Sequence, residues 1–194
     1  MLIYIKIINK LYALFFKVLC SRSFASYGRR TKILWPDAIE GASEIHLADN
    51  VLVAPHACLA TKRITPSTPA SLKIGSRTRI GRFNHIYATS SVIIEDDVLT
   101  ANGVYISDNQ HSYADPFTPI FQQPIIQLND TVIGAGTWLG QNACVMGAKV
   151  GKNCVVGANS VVLTDIPDYS VVVGAPAKVI KKFDSKTGQW LNVT

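Results

Sequence analysis

The residues best suited to chemistry lie in one polar run, Ser107-Asp108-Asn109-Gln110-His111-Ser112-Tyr113-Ala114-Asp115-Pro116. Imidazole is the side chain that ordinarily exchanges protons near neutral pH, so a histidine with polar flanks, His111, is a candidate general base. Asp108, Asn109 and Asp115 are close enough in sequence to orient it by accepting from its other ring nitrogen, as the third member of a triad does. Turn formation is an equally ordinary role for all three. The remaining histidines are His46, His56 and His85, and the cysteines are Cys20, Cys58, Cys144 and Cys154. No C-x-x-C pair occurs, and no histidine is spaced to complete a zinc site, so no metal is expected. The cysteines read as reduced small hydrophobes of a cytosolic protein.

The segment 107–131 that carries His111 interrupts a period. Ile33, Ile39, Ile45, Val51 and Ala57 are spaced by six, as are Ile74, Ile80, Ile86 and Val92. The pattern shifts by two at Ile94 and runs to Ile106. It resumes at Ile133, Leu139 and Val145, takes one five-residue step, and ends with Val150, Val156 and Val162. Residues 61–71 form a smaller interruption. A six-residue period is neither helical nor a simple strand alternation; it is the signature of a hexapeptide solenoid. Each hexad makes one short strand and a turn, and three hexads close a triangular coil. The leading aliphatic residue points inward and stacks on its equivalents in adjacent coils, so stability is a sum over neighbouring repeats. A long aperiodic segment inside such a scaffold is usually functional or disordered.

The chain has 194 residues, 48% apolar and 16% charged, enough for one domain with a sizeable core. The net charge of +6 is uneven. Lys6, Lys10, Lys17, Arg22, Arg29, Arg30 and Lys32 crowd the first 32 residues without an acid, and Lys178, Lys181, Lys182 and Lys186 crowd the end. No nucleic-acid motif accompanies either cluster, so nucleic acid is not an expected partner. An anionic membrane surface suits the first cluster and a phosphate-bearing ligand the second. Residues 1–20 read as an amphipathic helix with a lysine stripe, suited to an interfacial position on a membrane or to docking on its own domain or a neighbouring subunit. The organisation is therefore a helix and connector (1–27), a repeat domain (28–183) with a protruding loop (107–131), and a tail (184–194) that caps the solenoid or frays.

The hexads, the histidine loop and the closing VVVGAPAKVIKK resemble the hexapeptide-repeat acyltransferases. IGAGTWLGQNA, VGANSVVLTDIP and GAPAKVI are similar to that family's C-terminal signature. KILWPDAIEGASEIHLADNVLVAPHACL and ISDNQHSYADP are most similar to the O-acetyltransferases of bacterial capsule, O-antigen and exopolysaccharide synthesis. The resemblance implies a left-handed parallel β-helix, a homotrimer with sites between subunits, and acetyl-CoA-dependent O-acetylation of a sugar hydroxyl with His111 as base. It implies acceptor contacts from Asn84, His85, Asn109, Tyr113 and Asp115. It implies coenzyme A contacts from Trp138, Gly140, Ala158, Thr164, Lys178 and Lys181, with a backbone N–H near Gly140 or Gln141 meeting the oxyanion. Many relatives carry Thr-Lys where this chain has Leu163-Thr164, and usually keep six residues after Val145. N-acetylation of an amino sugar, acetylation of another small molecule, a zinc carbonic anhydrase and a non-enzymatic scaffold remain the alternatives. The expected location is cytoplasmic, with peripheral contact at the inner membrane face through residues 1–20.

Overall fold

The computed structural model describes residues 2–64 and 69–193. The interruption expected at 61–71 therefore lies partly outside the described residues, as do Met1 and Thr194. From Ser26 onward the chain winds as a three-faced parallel β-helix. The first face stacks Ser26–Tyr27, Ile45–Leu47, Ser71–Ile74, Ser91–Ile94, Thr131–Ile133 and Lys149–Val150. The second stacks Lys32–Ile33, Leu52–Val53, Arg79–Ile80, Leu99–Thr100, Trp138–Leu139, Val155–Val156 and Ser170–Val173. The third stacks Ala38–Glu40, Cys58–Thr61, His85–Ala88, Tyr105–Ser107, Cys144–Met146 and Val161–Val162.

The predicted inward residues form the core. Ile33, Ile45, Ile86, Ile106, Ile133, Leu139 and Val145 are fully buried, whereas Ile39 is only partly covered. A second inward position, two residues before most of these, escaped the aliphatic count because it often holds small or polar side chains: Thr78, Asn84, Thr137, Ala143 and Ser160 are all buried, as is Val104, and Ile45 itself stands at this second position, paired with Leu72. The threonines there earn their place by closing corners. Thr78 Oγ1 donates to Glu95 O (2.9 Å) and accepts from Val98 N, and Thr137 Oγ1 donates to Gly151 O (2.8 Å) and accepts from Cys154 N.

Every irregularity in the period falls at one edge of the prism, the corner between the third and first faces. The interruption after Thr61, the two extra residues around Thr89, the loop after Ser107 and the five-residue step after Val145 are stacked there. The short step is absorbed by Gly147, at φ +58, whose N–H meets Ser107 O and Thr131 Oγ1, both at 3.0 Å. A Cβ at this position would lie 2.7 Å from Leu128 Cβ. The corner is thus tightened directly against the returning end of the loop.

Both ends of the core are covered. Phe16 and Cys20 of the helix Leu2–Cys20 pack on the first coil. At the other end Lys178–Asp184 turns back antiparallel on Ser170–Val173, and Ala177 and Val179 cover the core. Gln189–Asn192, expected as part of a tail, is a further antiparallel strand paired with Lys178–Asp184.

Candidate active site

The segment around His111, expected as an aperiodic loop, is a β-hairpin. Asn109–His111 pairs antiparallel with Ile125–Gln127, setting Asn109 opposite Gln127 and His111 opposite Ile125. Its root is fixed by Asp108, which is fully buried. One carboxylate oxygen accepts from Thr89 N (2.8 Å), Thr89 Oγ1 (3.0 Å) and Asn109 Nδ2 (3.1 Å); the other accepts from Ser90 N and Ser91 N, both at 2.7 Å. Burial alone would raise this carboxyl's pKa, but the hydrogen bonds from Thr89, Asn109, Ser90 and Ser91 outweigh it and hold it below the usual range. Gln127 bonds back to Asp108 O through Nε2 at 2.8 Å, and its Oε1, 2.8 Å from Thr89 Oγ1, shares that hydroxyl's single proton with the Asp108 carboxylate. The hairpin is thus bolted to the corner of the preceding coil.

These bonds answer which residue orients His111 within one subunit: none of the three expected. Asp108 is committed to the corner, Asn109 is buried with its amide on Asp108, and the Asp115 carboxylate caps Phe117 N (2.9 Å) and Thr118 Oγ1 (2.6 Å). The His111 ring is exposed, and among the described residues it has no hydrogen bond. Directly opposed residues of an antiparallel pair project to the same side, so His111 shares a hairpin face with Ile125. Ile125 lines a groove of about 270 Å³ with Lys62, Arg63, Ile64, Tyr87 and Thr89. Arg63 is ion-paired with Glu44. Burial pushes the Tyr87 phenol up, with Glu40 and Asp108 adding to it, so it remains a donor at neutral pH. Lys62, Arg63 and Tyr87 were not singled out from sequence; the one available signal was a basic pair interrupting the hexads.

His85 starts the strand His85–Ala88, and it points outward from the third face, its ring 5.6 Å from Tyr105 and 6.3 Å from Tyr87. It therefore shares a surface with the hairpin groove. Asn84, expected beside it at the acceptor, is a correction. It is buried, donates to Ala101 O at 2.7 Å and accepts from Thr100 Oγ1, so it joins coils. Asn109 is excluded from acceptor contact by the same logic. Tyr113 is exposed in the segment that joins the two hairpin strands, as are Phe117 and Phe121, which are 94% and 78% exposed.

The residues expected at coenzyme A separate into two groups. Gly140 and Ala158 meet at the corner between the second and third faces, where a Cβ on Gly140 would come 2.6 Å from Ala158 N. The Gly174 turn and Ala177 sit over the same corner through Val161 N to Gly174 O (2.9 Å) and Ala177 N to Val161 O (2.8 Å). Lys178 and Lys181 follow on an exposed strand, and Trp138, half-exposed, lies on the second face between Leu99 and Val155. Thr164 is elsewhere: it lies at the hairpin corner, next to Leu163, which lines a groove of about 500 Å³ with Gln110, Gln127, Leu128 and Met146. The Gly140 N–H already donates to Val156 O at 2.8 Å, so it is not available for an oxyanion.

The other histidines are dispersed. His46 is on the first face, and His56 bonds Asp37 at 2.9 Å and stacks on Phe83. Among the described residues no three His, Cys, Asp or Glu side chains are grouped to hold a metal ion. The cysteines are all free, Cys144 and Cys154 included.

Comparison with known proteins agrees with this architecture. The family described as hexapeptide repeat of succinyl-transferase matches residues 130–164. A probable acetyltransferase of Mycobacterium tuberculosis is 43% identical over 112 residues, covering 57% of this chain and 37% of that protein. WbbJ of Escherichia coli, named as a lipopolysaccharide biosynthesis O-acetyl transferase, is 38% identical over 119 residues, covering 58% of this chain and 61% of its own. The chain thus spans less than two thirds of the length of either relative. Among solved structures, the N-acyltransferase AntD of Bacillus cereus superposes with a TM-score of 0.72 at 19% identity, covering 88% of this chain and 89% of AntD. The polySia-specific acetyltransferase NeuO gives 0.57 at 25% identity, covering 78% and 68%. The fold is the left-handed parallel β-helix. The chain is thus similar to hexapeptide-repeat acyltransferases over part of its length, and residues 130–164 match the family's repeat.

Proposed function

We propose that this protein transfers an acetyl group from acetyl-CoA to a hydroxyl of a saccharide used in bacterial surface polysaccharide synthesis. The observation that carries the reading is the hairpin itself, a rigidly rooted element that holds an exposed imidazole beside a groove with basic and phenolic donors. The sugar hydroxyl attacks the thioester carbonyl while His111 takes its proton. The tetrahedral intermediate then expels the CoA thiolate, which recovers the proton from His111. Lys62, Tyr87 and His85 line the acceptor side, with Tyr113 and Asp115 at the tip. The resemblance to WbbJ supports a polysaccharide-type acceptor.

Coenzyme A lies, in this reading, along Trp138, Gly140 and Ala158 with its phosphates toward Lys178 and Lys181, cations suited to them. Thr164 sits across the third face from that group, which suits a site completed by a neighbouring subunit of a homotrimer. The exposed aromatic tip of the hairpin, Phe117 and Phe121, supports the same assembly. Four free cysteines suit a reducing, cytoplasmic location.

The test is an acceptor screen with isotopically labelled acetyl-CoA, read by mass spectrometry before and after mild alkali. An alkali-labile acetyl on an oligosaccharide is expected. Label retained as an alkali-stable amide on an amino sugar would assign N-acetylation, and no transfer to any saccharide would overturn the reading.

A further inference from the structure

The helix Leu2–Cys20 presents two unlike faces. One meets the first coil. Asn9 Oδ1 accepts from the Trp35 indole at 3.0 Å, Tyr12 stacks on that indole with centroids 3.7 Å apart, and Ala13 is buried. At 100° per residue, the opposite side is an uninterrupted apolar arc of about 140°. Ile8, Leu11, Leu14, Phe15, Val18 and Leu19 lie in it, each more than half exposed. A solvated face does not need this much apolar surface, and monomers rarely leave such a patch uncovered.

Charge identifies the occupant. Lys6, Lys10 and Lys17 run along one border of the arc, and no Asp or Glu precedes Asp37. Lys10 and Lys17 join Arg30 and Lys32 of the first coil around a groove of about 380 Å³ floored by Ile7, Leu11 and Leu14. A second copy of the chain docked through this same face would bring cations without a compensating acid. An anionic lipid surface supplies both an apolar boundary for the arc and phosphates for the lysines. We propose that this face seats the protein in the headgroup boundary of an anionic membrane, lying on it. Among the described residues no helix is long and apolar enough to cross a membrane. The proposal is independent of the acyl-transfer reading.

The experiment is sedimentation of the full chain with vesicles of phosphatidylcholine alone or mixed with phosphatidylglycerol. Binding to the mixed vesicles, reversed by salt and absent from phosphatidylcholine alone, is expected. K10Q/K17Q weakens it roughly 25-fold, at about fivefold per lysine, and L11E/F15E abolishes it. Both variants retain the wild-type molar mass by light scattering, because Lys10, Leu11 and Phe15 are exposed and Lys17 is only partly covered. No binding, or equal binding to both vesicle types, overturns the proposal. So does a change in molar mass of L11E/F15E with vesicle binding intact, which would assign the face to another copy of the chain.

Discussion

Asp108→Ala removes the anchor of the hairpin and leaves His111 chemically untouched. Three backbone N–H groups, those of Thr89, Ser90 and Ser91, bond to this carboxylate at 2.7–2.8 Å. Stranding a buried donor costs on the order of 1–3 kcal/mol. Thr89 is fully buried and bears the larger part, about 2 kcal/mol, while Ser90 and Ser91 are partly exposed, can recruit water and add roughly 0.5 kcal/mol each. A loss of about 3 kcal/mol at pH 7 follows. The sign of the pH dependence is fixed by the direction of the shift. The folded carboxyl is held below its ordinary value, so its contribution is complete above the unfolded pKa, about 4, and is lost as pH falls through the folded value. The gap in urea midpoints between wild type and variant should therefore be constant near neutrality and narrow below about pH 4. Amide exchange should quicken first at Thr89–Ser91. A penalty under about 1 kcal/mol at pH 7, or a gap that widens on acidification, would refute the account of the hairpin root.

Other expectations follow from the same geometry. Asn84→Ala should cost about 1–3 kcal/mol by urea denaturation, since Ala101 O and Thr100 Oγ1 lose a partner, yet leave the KM for acceptor unchanged. Gly140→Ala places a Cβ 2.6 Å from Ala158 N, against backbone that cannot swing aside, and should lower stability by about 1–3 kcal/mol in the same assay. Lys178→Gln with Lys181→Gln should raise the KM for acetyl-CoA roughly 30-fold in steady-state kinetics with a smaller change in kcat, since about 1 kcal/mol per charge-assisted contact is lost from ligand binding.

The period of six made the coils legible because each leading residue touches only its own column. Ile86, Ile106 and Val145 occupy equivalent places whatever happens between them. It could not show that all the insertions share one edge, because that depends on how many strands precede each break. The role of Asp108 stayed open between orienting His111 and forming a turn because a carboxylate buried by a corner looks, in sequence, like one in a turn. Asn84 was expected at the acceptor because sequence does not tell a polar side chain at the second inward position, which serves the coil, from one that faces out. The docking stripe Asn9, Tyr12 and Ala13 was hidden because the helix is apolar on nearly every side, so sequence offered no contrast between the face that docks and the face that is left bare. The strand Gln189–Asn192 was missed because its pairing partner lies outside the hexad pattern.

The central claim is that His111 is the base. It is exposed on a hairpin whose anchoring bonds do not involve its ring, so His111→Ala should preserve fold and donor binding. The decisive measurement is acetyl transfer by this variant beside its affinity for acetyl-CoA. The account predicts kcat/KM lowered by roughly 10²–10⁴-fold with the Kd for acetyl-CoA unchanged within about twofold; transfer within tenfold of wild type would contradict it.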